Sequence, residues 1–130
     1  MSKKVIYAKH IEKGRFYHIH EGSKTGHPGM VYWKNDKRNL YLAILTGTSD
    51  GRHRTTLQAP TNRNVERSAI QNRPVLAKRK DIGGAHLDYR FSKKDKELLK
   101  AISIRPFKET PTIRKQDRRY IKRLKKKPRY

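Results

Sequence analysis

Leu40-Tyr41-Leu42-Ala43-Ile44-Leu45 is the most apolar run in the chain, and it decides the class of fold that can form around it. It is preceded by the polar turn Lys34-Asn35-Asp36-Lys37-Arg38-Asn39 and ended by Gly47-Thr48-Ser49-Asp50-Gly51. A short apolar run bounded by turn residues reads as a central strand covered on both faces. Weaker strand signals surround it. Phe16, Tyr17 and Ile19 lie in Arg15-Phe16-Tyr17-His18-Ile19-His20, which is followed by the loop Glu21-Gly22-Ser23-Lys24-Thr25-Gly26-His27-Pro28 and a second strand, Met30-Val31-Tyr32-Trp33. Arg52 to Leu57 leaves the central strand through hairpin-like turn chemistry as a more exposed strand. Residues 59–64 read as loop, and Arg73 to Lys78 as a strand entered through Pro74, with the sheet expected to end at Gly83-Gly84. Residues 3–8 read as a short strand or an extended arm. Tyr32, Trp33 and Tyr41 are read as core aromatics before they are read as base-stacking residues.

Helix signals come late in the chain. Ser92 followed by Asp95 resembles a capping box, and Leu98, Leu99, Ala101 and Ile102 form one apolar face, so a helix is expected over 93–102. Thr110-Pro111 marks a second helix start, with Ile113, Tyr120, Ile121 and Leu124 on a narrow stripe among cations. The first helix is expected to pack Leu98 and Ile102 on the sheet. The second, over 111–126, is expected to project or lie superficially. The fold class is therefore mainly β with α: a small SH3-like curved antiparallel sheet or barrel, one short packed helix and a basic C-terminal helix. Residues 1–13 form an N-terminal arm or short strand, 14–103 the β domain, and 104–130 a basic helix or tail.

Composition narrows the function. Only 33% of the 130 residues are hydrophobic, enough for one core with little to spare. With no cysteine there is neither a disulfide framework nor a thiolate zinc site, and no apolar run approaches the roughly 20 residues of a membrane span. The N-terminus lacks the apolar stretch of a secretion signal, so a cytoplasmic protein without membrane contact is expected. The 34 Lys and Arg against 11 Asp and Glu give a net charge of +23, which attracts polyanions. Residues 114–130 alone hold ten cations against Asp117. The expected partner is RNA or DNA.

Gly14-Arg15-Phe16-Tyr17-His18-Ile19, then Gly26-His27-Pro28-Gly29-Met30-Val31-Tyr32, then Leu42-Ala43-Ile44-Leu45-Thr46-Gly47-Thr48-Ser49 resemble in order and spacing the MazF/PemK-type toxins. In that family a glycine-led strand is joined by a mobile loop to a strand beginning Arg-Pro, and a hydrophobic strand ends in Thr-Ser. Residues 69–82 sit where the family carries a basic cluster, so the likeness covers about residues 14 to 102. Where the family has arginine before proline, this chain has His27. The resemblance implies a metal-independent endoribonuclease that cleaves single-stranded RNA through its own 2′-hydroxyl. It also implies a homodimer and neutralisation by an antitoxin, either an acidic protein or an RNA, with no cofactor.

In that chemistry His27 is the candidate base or acid, Thr48 and Ser49 are candidate donors, and Arg52, Arg54, Arg73 or Arg79 is the candidate charge stabiliser, with Arg79 or Arg73 placed on the phosphate beside His27. Candidate RNA-binding residues are Arg52, Arg54, Arg73, Lys78 and Lys80 in the body and Arg118, Arg119, Lys122 and Arg123 in the C-terminal helix. Arg63 and Arg67 are read as solvated or phosphate-binding. His18, His20 and Glu21 form a His-x-His-Glu run that places both imidazoles on one strand face, but the spacing supplies no third ligand and no metal is assigned. Two other classes stay open: a non-catalytic RNA- or DNA-binding protein on the same kind of barrel, and a ribonucleoprotein component.

Overall fold

A computed structural model describes residues 5–6, 10–22, 25–47, 53–65 and 67–126. The expected sites Thr48, Ser49 and Arg52 lie outside these residues. Nine strands are present among them: β1 (Val5–Ile6), β2 (Phe16–Ile19), β3 (His27–Asn35), β4 (Leu40–Gly47), β5 (Arg54–Thr56), β6 (Ala69–Gln71), β7 (Val75–Lys78), β8 (Ile82–His86) and β9 (Lys108–Glu109). Two α-helices follow, α1 (Lys96–Ser103) and α2 (Arg118–Leu124). The hydrogen-bonded order is β1-β8-β2-β3-β4-β6-β5, with β7 also on β4 and β9 parallel to β7. The result is a mainly antiparallel sheet. A 3₁₀ turn at Arg79–Asp81 carries the chain from β7 into β8.

β4 is the central strand, as its apolar run dictates. One edge pairs with β3, and the other pairs first with β7 over Leu40–Ala43 and then with β6 over Thr46–Gly47. Its alternating side chains divide the core by the two-residue period of a strand. Tyr41, Ala43 and Leu45 face one cluster with Ile11, Tyr17, Ile19 and Val31. Leu40 and Leu42 face a second with Leu76, Phe107, Ile113, Ile121 and Leu124. Ile44 joins a third with Leu57, Ile70 and Ile102. The register between β3 and β4 shifts between Val31 and Trp33, so Tyr32 is an extra residue in β3. It packs partly buried against the second and third clusters.

Four expectations are corrected. The sheet does not end at Gly83-Gly84, because both glycines lie inside β8, where a Cβ on Gly83 would come within 3.4 Å of His20 Nε2. The segment after β4 is not a simple hairpin partner: β6 lies between β4 and β5. The capping box at Ser92 is half formed, with Ser92 Oγ accepting from the Lys94 amide at 3.2 Å while the buried Asp95 carboxylate accepts from Gln58 N at 2.8 Å and Ala59 N at 3.3 Å. Asp95 thus anchors the loop after β5.

The fourth correction concerns the C-terminal segment. Its helix is short, beginning with a 3₁₀ turn at Lys115–Asp117, and it is part of the core: Ile121 is 1% and Leu124 5% exposed. Polar contacts fasten this segment. Arg73 donates to the Pro106 and Phe107 carbonyls at 3.0 and 3.1 Å, and the buried Asp81 carboxylate accepts from Thr110 Oγ1 at 2.7 Å and from Thr112. Leu98 is only half buried. Leu124→Ala is therefore expected to cost about 2–5 kcal/mol, the range for a buried leucine, and Leu98→Ala less. Urea unfolding of the two variants measures the order.

Candidate active site

The approach to His27 is set by Gly26. Its φ of +85° is unfavourable for any side chain, and a Cβ there would lie 2.2 Å from the Ile19 carbonyl oxygen. Only glycine fits so close to β2. The chain then enters β3 at His27 itself, paired with Ile19. Thr46, near the end of β4, donates from Oγ1 to the Pro28 carbonyl at 3.2 Å and ties the two strand ends together. Arg54 opens β5 and lays its guanidinium over Gly47, 3.4 Å from where a Cβ would stand.

His27, Pro28, Thr46, Gly47 and Arg54 line a cleft of about 220 Å³, together with Thr61, Val65, Ser68 and Tyr89. Thr61 and Ser68 are buried and share a hydroxyl hydrogen bond of 3.0 Å, while the Thr61 amide donates to Ser68 Oγ. Tyr89 arrives from the turn after β8, its ring tilted on Phe16 and His86 at centroid distances of 5.7 and 5.1 Å. The cleft thus combines one imidazole, one guanidinium and several hydroxyls.

Burial, first, and the Arg54 charge, second, lower the His27 pKa below its ordinary 6.5; Glu21 opposes them, and His18 and Lys108 lower it further. The imidazole is accordingly neutral at pH 7 and able to accept a proton. Burial together with the hydrogen bond to Asp36 at 2.9 Å pushes Tyr41 up to about 12, so that phenol stays protonated as a structural donor.

The remaining expected site residues fall elsewhere. His27 and Arg54 come together, whereas Lys78, Arg79 and Lys80 line a different cleft, so of the candidate charge stabilisers it is Arg54 that shares the cleft with His27. Arg79 opens the 3₁₀ turn at Arg79–Asp81, its amide donating to the Asn39 carbonyl and its Nη1 to the Ile82 carbonyl. Arg73 fastens the C-terminal segment, Arg118 pairs with Glu109, and Arg123 lies 5.8 Å from the Tyr120 ring centroid. Arg119 and Lys122 are exposed. His18 and His20 do share a face, with ring centroids 4.7 Å apart, and His18 Nε2 donates to the Thr25 carbonyl at 2.6 Å. Among the described residues no group of three His, Asp or Glu is placed to hold a metal ion.

Sequence reasoning missed Thr46, Thr61, Ser68 and Tyr89. Thr46 carried a signal: it is the hydroxyl-bearing residue that follows the apolar run directly. The other three come from loops whose approach depends on long-range pairing, which no local pattern reports. No protein-family model matches the chain, and no curated protein or solved structure matches it. Among the described residues no helix is long and apolar enough to cross a membrane.

Proposed function

We propose that the protein is a metal-independent endoribonuclease of the MazF/PemK kind, acting on single-stranded RNA. The observation that carries this reading is the placement of His27, biased to its neutral form, beside Arg54 in one hydroxyl-lined cleft. His27 takes the proton from a ribose 2′-hydroxyl, and that oxygen attacks the adjacent phosphorus. The P–O5′ bond breaks, leaving a 2′,3′-cyclic phosphate and a 5′-hydroxyl. Arg54 offsets the charge that grows on the phosphate oxygens, and the Tyr89 hydroxyl protonates the departing oxygen. Thr46 holds the two strand ends together through its bond to Pro28 and acts by positioning. On this reading the protein works in the cytoplasm as a homodimer and is restrained by an antitoxin, an acidic protein or an RNA drawn by its positive charge.

Incubation of the protein with mixed-sequence single-stranded RNA in EDTA tests the proposal. Discrete cuts ending in cyclic phosphate are expected. RNA left whole, or cleavage only on adding a divalent metal, overturns it.

The pH dependence has a defined sign. Protonation removes the base, so cleavage is expected to fall on acidification, with a midpoint below the ordinary histidine value of 6.5. This acid limb should be missing from the residual rate of His27→Ala. Stability follows the same direction. As the pH drops through 6.5 the unfolded chain takes up the proton before the folded one does, so stability falls between that value and the lower folded pKa. Melts of wild type and His27→Gln across pH 5 to 8 should differ in slope on that side only.

A further inference from the structure

We infer that a second cleft, sharing no lining residue with the first, is a docking site for the backbone of single-stranded RNA. It is the larger of the two, at about 720 Å³. Three segments distant in sequence build it: the β3–β4 turn gives Lys37 and Arg38, the end of β7 and its 3₁₀ turn give Lys78, Arg79 and Lys80, and the approach to α2 gives Arg114. Asp117 is the acid among these described lining residues, and it is offset by Lys78 at 3.3 Å. The other five cations outnumber any acid on the wall.

The cleft is braced in place. Lys78 Nζ also donates to the Arg38 carbonyl at 3.0 Å, and the Arg79 amide to the Asn39 carbonyl at 3.0 Å, so the β3–β4 turn is fixed against the 3₁₀ turn. Asp117 carries the same tie to the C-terminal segment. Arg38, Arg79 and Arg114 bring guanidinium groups, whose planar forks match phosphate oxygens better than an ammonium does.

The neighbouring hollow argues for a single strand. It is about 150 Å³, is lined by Arg38, Tyr120, Arg123 and Leu124, and thus shares Arg38 with the cationic cleft. The Arg38 guanidinium stands 4.3 Å from the centroid of the Tyr120 ring, and Asn35 Nδ2 holds the phenol oxygen at 2.9 Å. A cationic groove beside a guanidinium and an aromatic ring is the pairing that binds unpaired nucleotides, with phosphates in the groove and a base on the flat groups. An acidic peptide would use the cations but not this hollow.

The test uses the full-length protein and a fluorescent 2′-O-methyl RNA 12-mer, which cannot be cleaved, so its result is independent of the ribonuclease reading. Lys37→Gln, Arg38→Gln, Lys80→Gln and Arg114→Gln are combined; all four residues are exposed, whereas Lys78 and Arg79, which brace the fold, are left intact. A control variant removes the same charge from the exposed Lys93, Lys94, Lys96 and Lys100 at α1. With about 0.7 counterions released per neutralised phosphate, the log–log salt slope of binding should fall by about 2–3 in the cleft variant and affinity by at least about tenfold at 0.1 M salt. The control slope should move by less than about half a unit. Melting temperatures matching wild type establish that both variants are folded. Equal losses in the two variants, or an unchanged slope in the cleft variant, overturn the inference. So does tighter binding of a poly-glutamate peptide than of RNA that is lost in the cleft variant, which would assign the cleft to a protein partner.

Discussion

His27→Ala is expected to slow RNA cleavage by about 10² to 10⁴, the usual loss when a proton-transfer group is removed. Arg54→Ala should cost about 10² to 10³ through lost charge stabilisation. Binding should change little in either variant, because one altered residue leaves most of the +23 charge and the whole second cleft in place. Single-turnover cleavage rates set beside affinities for uncleavable RNA separate the two effects. Thr46→Val provides the contrast: Thr46 bonds to the Pro28 carbonyl, so its loss should lower the rate by misplacing His27 while the acid limb of the pH profile survives. Cleavage by His27→Ala at the wild-type rate would remove His27 from the reaction.

Truncation after Ser103 is expected to abolish cooperative folding. Phe107, Ile113, Ile121 and Leu124 cover Leu40, Leu42 and Leu76 on one face of the sheet. Each buried side chain of this size contributes about 1.5–3 kcal/mol, and together they are comparable with the roughly 5–15 kcal/mol that holds a typical domain folded. The truncation also strips β7 of its parallel partner β9 and Asp81 of the Thr110 and Thr112 hydroxyls. A truncated chain that melts within a few degrees of the full-length protein would contradict this role. Residues 104–126 are therefore a structural layer of the domain rather than an appended tail.

That layer shows where the sequence was hardest to read. Ile113, Ile121 and Leu124 were visible as a stripe, but the surrounding cations made the helix look solvated. Arg and Lys can keep their charges in water while the face between them packs, and a stripe alone does not show what covers it. β4 was legible because a run of apolar residues admits few alternatives, and α1 because its apolar spacing is helical. β8 was not, since Gly83-Gly84 reads as a stop until β2 is known to lie against it. In the site, His27 and Arg54 were legible as isolated chemistry. Their meeting depends on Gly26, on the Thr46–Pro28 bond and on the β4–β6–β5 order, all products of the fold.

The reaction proposed for the cleft at His27 is RNA cleavage by attack of the neighbouring 2′-hydroxyl. Its most direct test maps a wild-type cut in EDTA, then replaces the single ribose on the 5′ side of that phosphate by deoxyribose. The account predicts that this phosphate alone becomes resistant, with binding unchanged and cuts at other positions preserved. Continued cleavage at the deoxy position, or RNA that is bound but never cut, would contradict it.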